Sequence, residues 1–405
     1  MSLEQLIHTV SKKINLSEEL TLNKLNNIAE IVKDESFSLK KLKSYGFQEE
    51  EASKILDELS WQEYASTFYA YDCEQFDSMG TALALTEKCE YCGEILKESS
   101  SHIIKKMFRL NNCFLELIKE RRKSELQKYV ISDYMPNLQS LIDSSERIIP
   151  FLGAGISIPL GLPDWKELLL QLKRGLTEKD TEQYETLISR GDYLRALTFL
   201  NRYSGFFKDK RLIKREITNI IKSKYNKNLD DNLHNIRDIL KLNSDFYITT
   251  NYDHALTDYR DEFVMPLCID EIEDTQELLN GKEHKVIHLH GHIDKPKSMI
   301  VDEDDYNTLY SDPRITSKLY SILGNRKLLF IGFSFNDLYF KNLYSKIIEN
   351  IGGEHFIIVP NLHVFDAEEY FEMNLIPIGI NVKKDKNGKY LDYVKALKVV
   401  LEQLT

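Results

Sequence analysis

The stretch RIIPFLGAGISIPLGLPDWKELL, Arg147 to Leu169, constrains the fold of this chain more than any other. A short continuous apolar run enters Gly153-Ala154-Gly155, and Pro163-Asp164-Trp165 then opens a helical pattern. Apolar runs without alternation are what strands buried on both faces of a parallel sheet look like. Glycines permit positive φ and close backbone approach, and a helix N-terminus just beyond them offers free N–H groups to an anion. The spacing is not GxGxxG. Read alone, the turn serves equally as a tight strand-to-helix connection or as the cradle of a nucleotide phosphate.

From Arg147 onward the pattern repeats. DFYITTN, HKVIHLHG, KLLFIGFSF and EHFIIVP read as further buried strands, with DWKELLLQLKRGL, NDLYFKNLYSKIIENI and LDYVKALKVVLEQL as helices among them. Alternating strands and helices predict an α/β fold with a Rossmann-like parallel sheet, whose ligand sits at the carboxyl ends of the strands. Four strand ends carry chemistry. The first holds Gly153, Ala154, Gly155 and Ser157. The second, Thr250-Asn251-Tyr252-Asp253, supplies an amide and a carboxylate that suit ribose hydroxyls or a water, or equally the cap of the next helix. The third holds His288, His290 and His292, whose readings are a metal site, a general base before Gly291, or packed imidazoles. The fourth holds Gly332 and Ser334, a hydroxyl placed for a phosphate or an ordinary helix start.

At 405 residues the chain is long enough for two or three domains. Residues 1–125 read as mainly helical and winged-helix-like: LTLNKLNNIAEIV, SLKKLKSYG and QEEEASKILDELS as helices, then EYASTFYAYDCE as a strand. Residues 126–146 read as a linker helix and 147–405 as the sheet domain. A net charge of −11 argues against nucleic-acid binding by the whole surface, though a local basic face stays open. No apolar run is long enough to span a membrane, and MSLEQLIHTVSKK lacks a secretory pattern. Five cysteines make no disulfide framework, so a reducing cytoplasm is expected. Cys89-x-x-Cys92-Gly93 is similar to one knuckle of a zinc ribbon, with Cys73, His102 or Cys113 as candidates to complete four ligands, or else a pair of reduced thiols in a turn.

The order Gly-Ala-Gly-Ile-Ser, Pro-Asp-aromatic, Thr-x-Asn-x-Asp, His-Gly and Gly-x-Ser resembles the sirtuin catalytic fold over residues 147–405. The resemblance implies NAD as substrate. Gly153, Ala154, Gly155 and Ser157 would then approach the pyrophosphate, with Asp164 beside the nicotinamide end. Thr250, Asn251 and Asp253 would line the nicotinamide-ribose pocket, with Asn251 and His290 catalytic and Gly332 and Ser334 contacting phosphate and ribose. Protein-deacylating sirtuins insert two CxxC pairs after the His-Gly strand, whereas this chain has no cysteine between His290 and Gly332. MIVDEDDY and GFSFNDLYF look instead like the bacterial sirtuin-like family of antiviral defence proteins. That branch implies hydrolysis of NAD to ADP-ribose and nicotinamide, gated until infection is sensed. Its gate would lie in residues 1–125 or in a homo-oligomer, and its trigger would be a phage-derived protein, a nucleic acid or a companion ATPase. A deacylase or ADP-ribosyltransferase, and a non-catalytic NAD-sensing or DNA-binding regulator, are the rival readings.

Overall fold

The computed structural model describes residues 2–32, 35–98, 100–259, 266–280, 285–333, 341, 344, 345, 348, 352–386 and 388–405, the side chains of 277, 278 and 280 excepted. The chain divides into two compact units at Glu125/Leu126, inside the helix Asn112–Tyr129.

In the first unit, helices Leu3–Ile14, Glu18–Val32, Leu39–Ser44 and Glu49–Trp61 precede three antiparallel strands. These are β1 (Ala65–Cys73), β2 (Ser78–Ala82) and β3 (His102–Leu110), in the order β2-β1-β3. The pattern of three helices and one strand therefore becomes four helices and three strands. The added helix begins with a capping box between Ser2 and Gln5, which fixes its first turn. Leu6, Val10, Leu25, Ile28, Leu56 and Phe108 meet in one core.

The second unit is built on a seven-stranded sheet: β4 (Ile148–Leu152), β5 (Phe246–Thr249), β6 (Leu267–Cys268), β7 (Lys285–His288), β8 (Lys327–Ile331), β9 (His355–Pro360) and β10 (Leu375–Ile380). The order is β10-β9-β8-β4-β5-β7-β6, and every pairing is parallel. The first strand stands mid-sheet. The chain extends to one side through β5, β6 and β7, then returns to the other side of β4 with β8, which makes a topological switch point between β4 and β8. Phe151, Ile248, Ile287 and Phe330 fill one face; Leu152, Tyr247, Val286 and Leu329 fill the other. Both sides of each central strand are dry, so the sequence shows runs instead of alternation.

Two readings of local structure change. The stretch read as one linker helix, 126–146, breaks after Tyr129, makes a 3-10 turn at Ser132–Tyr134, and restarts as Met135–Asp143 with Pro136 in its first turn. Its Leu138 and Leu141 are fully part of the sheet unit's core. The helix opening at Trp165 stops at Leu170, where Gln171 and Leu172 donate to the carbonyls of Leu168 and Leu169 and tighten the last turn. Between β4 and β5 four helices form a separate apolar cluster: this one, Glu178–Ser189, Tyr193–Tyr203 and Lys210–Lys224, with Leu169, Tyr184, Leu197, Ile217, Tyr252 and Met299 at its centre.

Candidate active site

The ends of β4 and β5 shape a cleft of about 420 Å³, counting its open mouth. Ala154, Ser157, Thr250, Asn251 and Asp253 supply its polar wall; Leu162, Pro163, Trp165, Leu168 and Ile221 supply its apolar one. Such a mixture, largely apolar with a few convergent polar groups, is typical of small-molecule sites.

Asn251 is the hinge of this arrangement. Its Nδ2 donates to the Gly153 carbonyl at 3.0 Å and to Ser157 Oγ at 3.1 Å, and its own amide donates to Thr249 Oγ1 at 3.0 Å. Thr249 in turn donates its hydroxyl to the Leu152 carbonyl at 3.1 Å. Side chains thus lock the two strand ends together where the backbone ladder stops. Capping falls to the neighbour: Asp253 Oδ1 accepts the amide of Ala255 at 3.0 Å and starts the short helix Ala255–Asp258. Burial raises the Asp253 carboxyl pKa, while bonds from the Ala255 amide and the Ser157 hydroxyl pull it back. Trp165 stacks on Tyr193 at 6.4 Å and meets Tyr252 edge-on at 5.7 Å, which fixes the apolar wall.

The glycines have a structural cause. The amide of Gly153 donates to Ile331 and that of Gly155 to Gly332, both at 2.9 Å. A Cβ on Gly155 would stand 2.8 Å from the Gly332 Cα, and one on Gly332 would stand 2.8 Å from the Ile156 nitrogen. The two loops at the switch point touch backbone to backbone, and both glycine amides are engaged inside the protein. Asp164 also serves the fold: its Oδ1 accepts from the Glu167 amide at 2.7 Å and caps the helix. Gly153, Gly155, Asp164 and Gly332 are not among the residues lining the cleft. Ser334 lies outside the described residues.

The histidines divide. His288 donates from Nδ1 to the Asn251 carbonyl at 2.9 Å, so it supports the residue that joins β4 to β5. His290 is fully buried, does not line the cleft, and has its Nε2 2.8 Å from the Tyr310 hydroxyl. Burial drives both imidazoles down to about 3, so both are neutral at physiological pH. The turn after His290 needs glycine: Gly291 has φ +75°, and a Cβ there would meet the Ser298 carbonyl at 2.3 Å. His288, His290 and His292 do not converge on one metal. His254, His292 and Asp294 do approach one another within 4.8 Å, but Lys222 already sits 3.1 Å from Asp294, a cation where a metal would need none.

The DEDDY segment that follows has a visible job. Asp302 caps the helix Glu303–Ser311 and pairs with Lys210 at 2.7 Å, while Asp305 pairs with Lys214 at 3.0 Å. These pairs pin the Lys210–Lys224 helix, which brings Ile221 to the cleft, and the pinned segment carries Tyr310 to His290. Sequence reading missed Leu162, Leu168, Ile221 and Tyr252. Tyr252 had a signal in its place between Asn251 and Asp253; Ile221 had none.

Residues 245–377, from β5 through the first half of β10, match the family model of the SIR2-like domain. Asn251, Asp253, His290 and Gly332 fall within the matched residues, and Gly153 to Asp164 precede them. Over 237 residues, 56% of its length, the chain is also 29% identical to the NAD(+) hydrolase ThsA of Acinetobacter baumannii (strain 532279). The alignment spans 45% of that relative. No helix among the described residues is long and apolar enough to cross a membrane.

Proposed function

We propose that the sheet unit is an NAD hydrolase that releases nicotinamide and ADP-ribose, held quiet until infection is sensed and then depleting NAD as a defence against phage. The observation that carries this reading is Asn251, which projects from the end of β5 to the rim of the cleft and joins it to Gly153 and Ser157 at the end of β4. Similarity to an NAD(+) hydrolase supports the choice of substrate.

The chemistry follows from the charges. The bond between C1′ of the ribose and the pyridinium nitrogen breaks, its electron pair neutralises the nicotinamide, and positive charge develops on the ribose ring. Water then adds to C1′ and gives up a proton. Asp253 places a negative field next to that cation, where preorganised charge acts strongly. Asn251 holds the ribose or the water, with Trp165 and the apolar wall facing the nicotinamide. Ala154 and Ser157 face the pyrophosphate. His290 receives the proton in the working state. In the conformation described it is sealed beneath Tyr310, and that seal is the resting state of a gated enzyme. Residues 1–125 carry the response to the trigger.

Incubating the full-length protein with NAD, alone and with phage-infected lysate, tests the reading. Equal amounts of nicotinamide and ADP-ribose are expected without any acylated peptide. Nicotinamide release that requires such a peptide would replace the hydrolase with a deacylase.

A further inference from the structure

We propose that Cys73, Cys89, Cys92 and His102 hold one structural zinc ion that staples the end of the three-stranded sheet in the first unit. Their ligand atoms, one from each residue, all lie within 4.8 Å of one another. A tetrahedral zinc with bonds of ~2.3 Å to sulfur spaces its ligands roughly 3.8 Å apart, so the four atoms need only small shifts to close on one ion.

Three independent features put them there. Cys73 ends β1 and His102 begins β3, and the two are direct partners in the antiparallel register. Two ligands are thus placed side by side by the sheet itself. Cys89 and Cys92 come from the connection between β2 and β3, on a tight knuckle. Gly93 donates to the Cys89 carbonyl at 2.9 Å, Cys89 donates to the Glu94 carbonyl at 2.8 Å, and Tyr91 offers its amide to Cys89 Sγ at 3.4 Å. An amide aimed at a sulfur suits a thiolate. Cys92 Sγ stands 3.3 Å from His102 Nε2, and the edge of Tyr71 meets the His102 ring at 5.8 Å and orients it.

The third feature is energetic. Of the described residues between 83 and 101, only Cys89 and Leu96 are buried. The cluster around them adds Tyr71, Cys73 and Ala82, with Cys92 and Ile104 at its edge. Apolar burial on that scale cannot order a segment of this length, and small elements that cannot build a core use metal or disulfide instead. All five cysteines are free thiols. Zinc binding supplies the missing free energy, with three thiol protons released to solvent and the His102 Nε2 lone pair donated to the ion. Cys113, the remaining candidate ligand in the sequence, is exposed on the helix Asn112–Tyr129 and lies outside the cluster.

Zinc analysis of the purified full-length protein decides this. About one zinc per chain is expected. Cys92→Ser and Cys73→Ser should retain a small fraction of it, and Cys113→Ser should retain it all. Because a ligand variant can misfold, the wild-type protein is also stripped by chelator and refilled with cobalt(II). A tetrahedral cobalt spectrum with a thiolate-to-cobalt band is expected. Wild-type protein without zinc and without that spectrum overturns the site, as does zinc that survives Cys92→Ser or is lost equally in Cys113→Ser.

Discussion

The ends of β5 and β7 are neighbours in one sheet, and both present polar residues that the sirtuin resemblance makes functional. They meet opposite environments. Asn251 reaches the rim of an open cleft, whereas His290 is enclosed in a dry interior with Tyr310 at its nitrogen. The difference teaches that a motif fixes where a side chain emerges but not what covers it. The cover over His290 arrives from the helix Glu303–Ser311, which is held by Lys210 and Lys214 from a distant part of the chain. On the proposed reading, an NAD hydrolase needs a state in which it does not act, and His290 sealed beside an assembled cleft supplies one.

Four changes break or sharpen this contrast. Asn251→Ala should have the largest effect, lowering nicotinamide release about 10²–10³-fold, the usual loss for a preorganised polar group at the reacting centre. Chromatography of the products reads it. His290→Ala should lower turnover and also cost stability, about 2–4 kcal/mol in urea unfolding, since it leaves a cavity and an unpartnered hydroxyl on Tyr310. A His290→Ala protein as stable as wild type would mean that His290 is not packed as described. Gly332→Ala comes next, at roughly 1–2 kcal/mol for its left-handed φ alone, with more from the contact with Ile156. The same urea titration measures it. Tyr310→Phe is the mildest: removing one hydrogen bond worth about 1 kcal/mol should loosen the seal and raise untriggered hydrolysis about fivefold. Unchanged or lower basal turnover would remove Tyr310 as the cover.

Acid probes the same interior. Burial lowers His288 and His290 to about 3 and His355 to about 4, against 6.5 for an exposed imidazole. Below pH 6.5 the unfolded chain takes up these protons and the folded chain does not. The stability present above 6.5 is therefore lost as the pH falls toward those lower values. Roughly 1 kcal/mol per histidine should be gone by pH 5.5, seen as a falling Tm, while the midpoint between pH 7 and 8 stays level.

Much of the sheet was legible from the sequence because its strands are continuous apolar runs. β4, β5, β7, β8 and β9 fall within the stretches named for them. β10, LIPIGI, was hidden by a proline and a glycine, which the parallel edge tolerates. β6 is two residues long and carries no pattern. The contacts of Asn251 were half legible: an amide at a strand end was readable, but its bonds to Gly153 and Ser157 join residues nearly a hundred positions apart. The glycines misled in part, because backbone crossing at a switch point and phosphate binding ask for the same residue. At the N-terminus the CxxC knuckle was readable, yet choosing His102 over Cys113 needed the β1–β3 register.

The central claim is that the cleft between the ends of β4 and β5 binds NAD and that Asn251 is needed to cleave it. Calorimetric titration of NAD into Asn251→Ala, paired with nicotinamide release at the same occupancy, tests it most directly. The account predicts NAD affinity within a few-fold of wild type and almost no nicotinamide. Release at the wild-type rate from the saturated variant would contradict it.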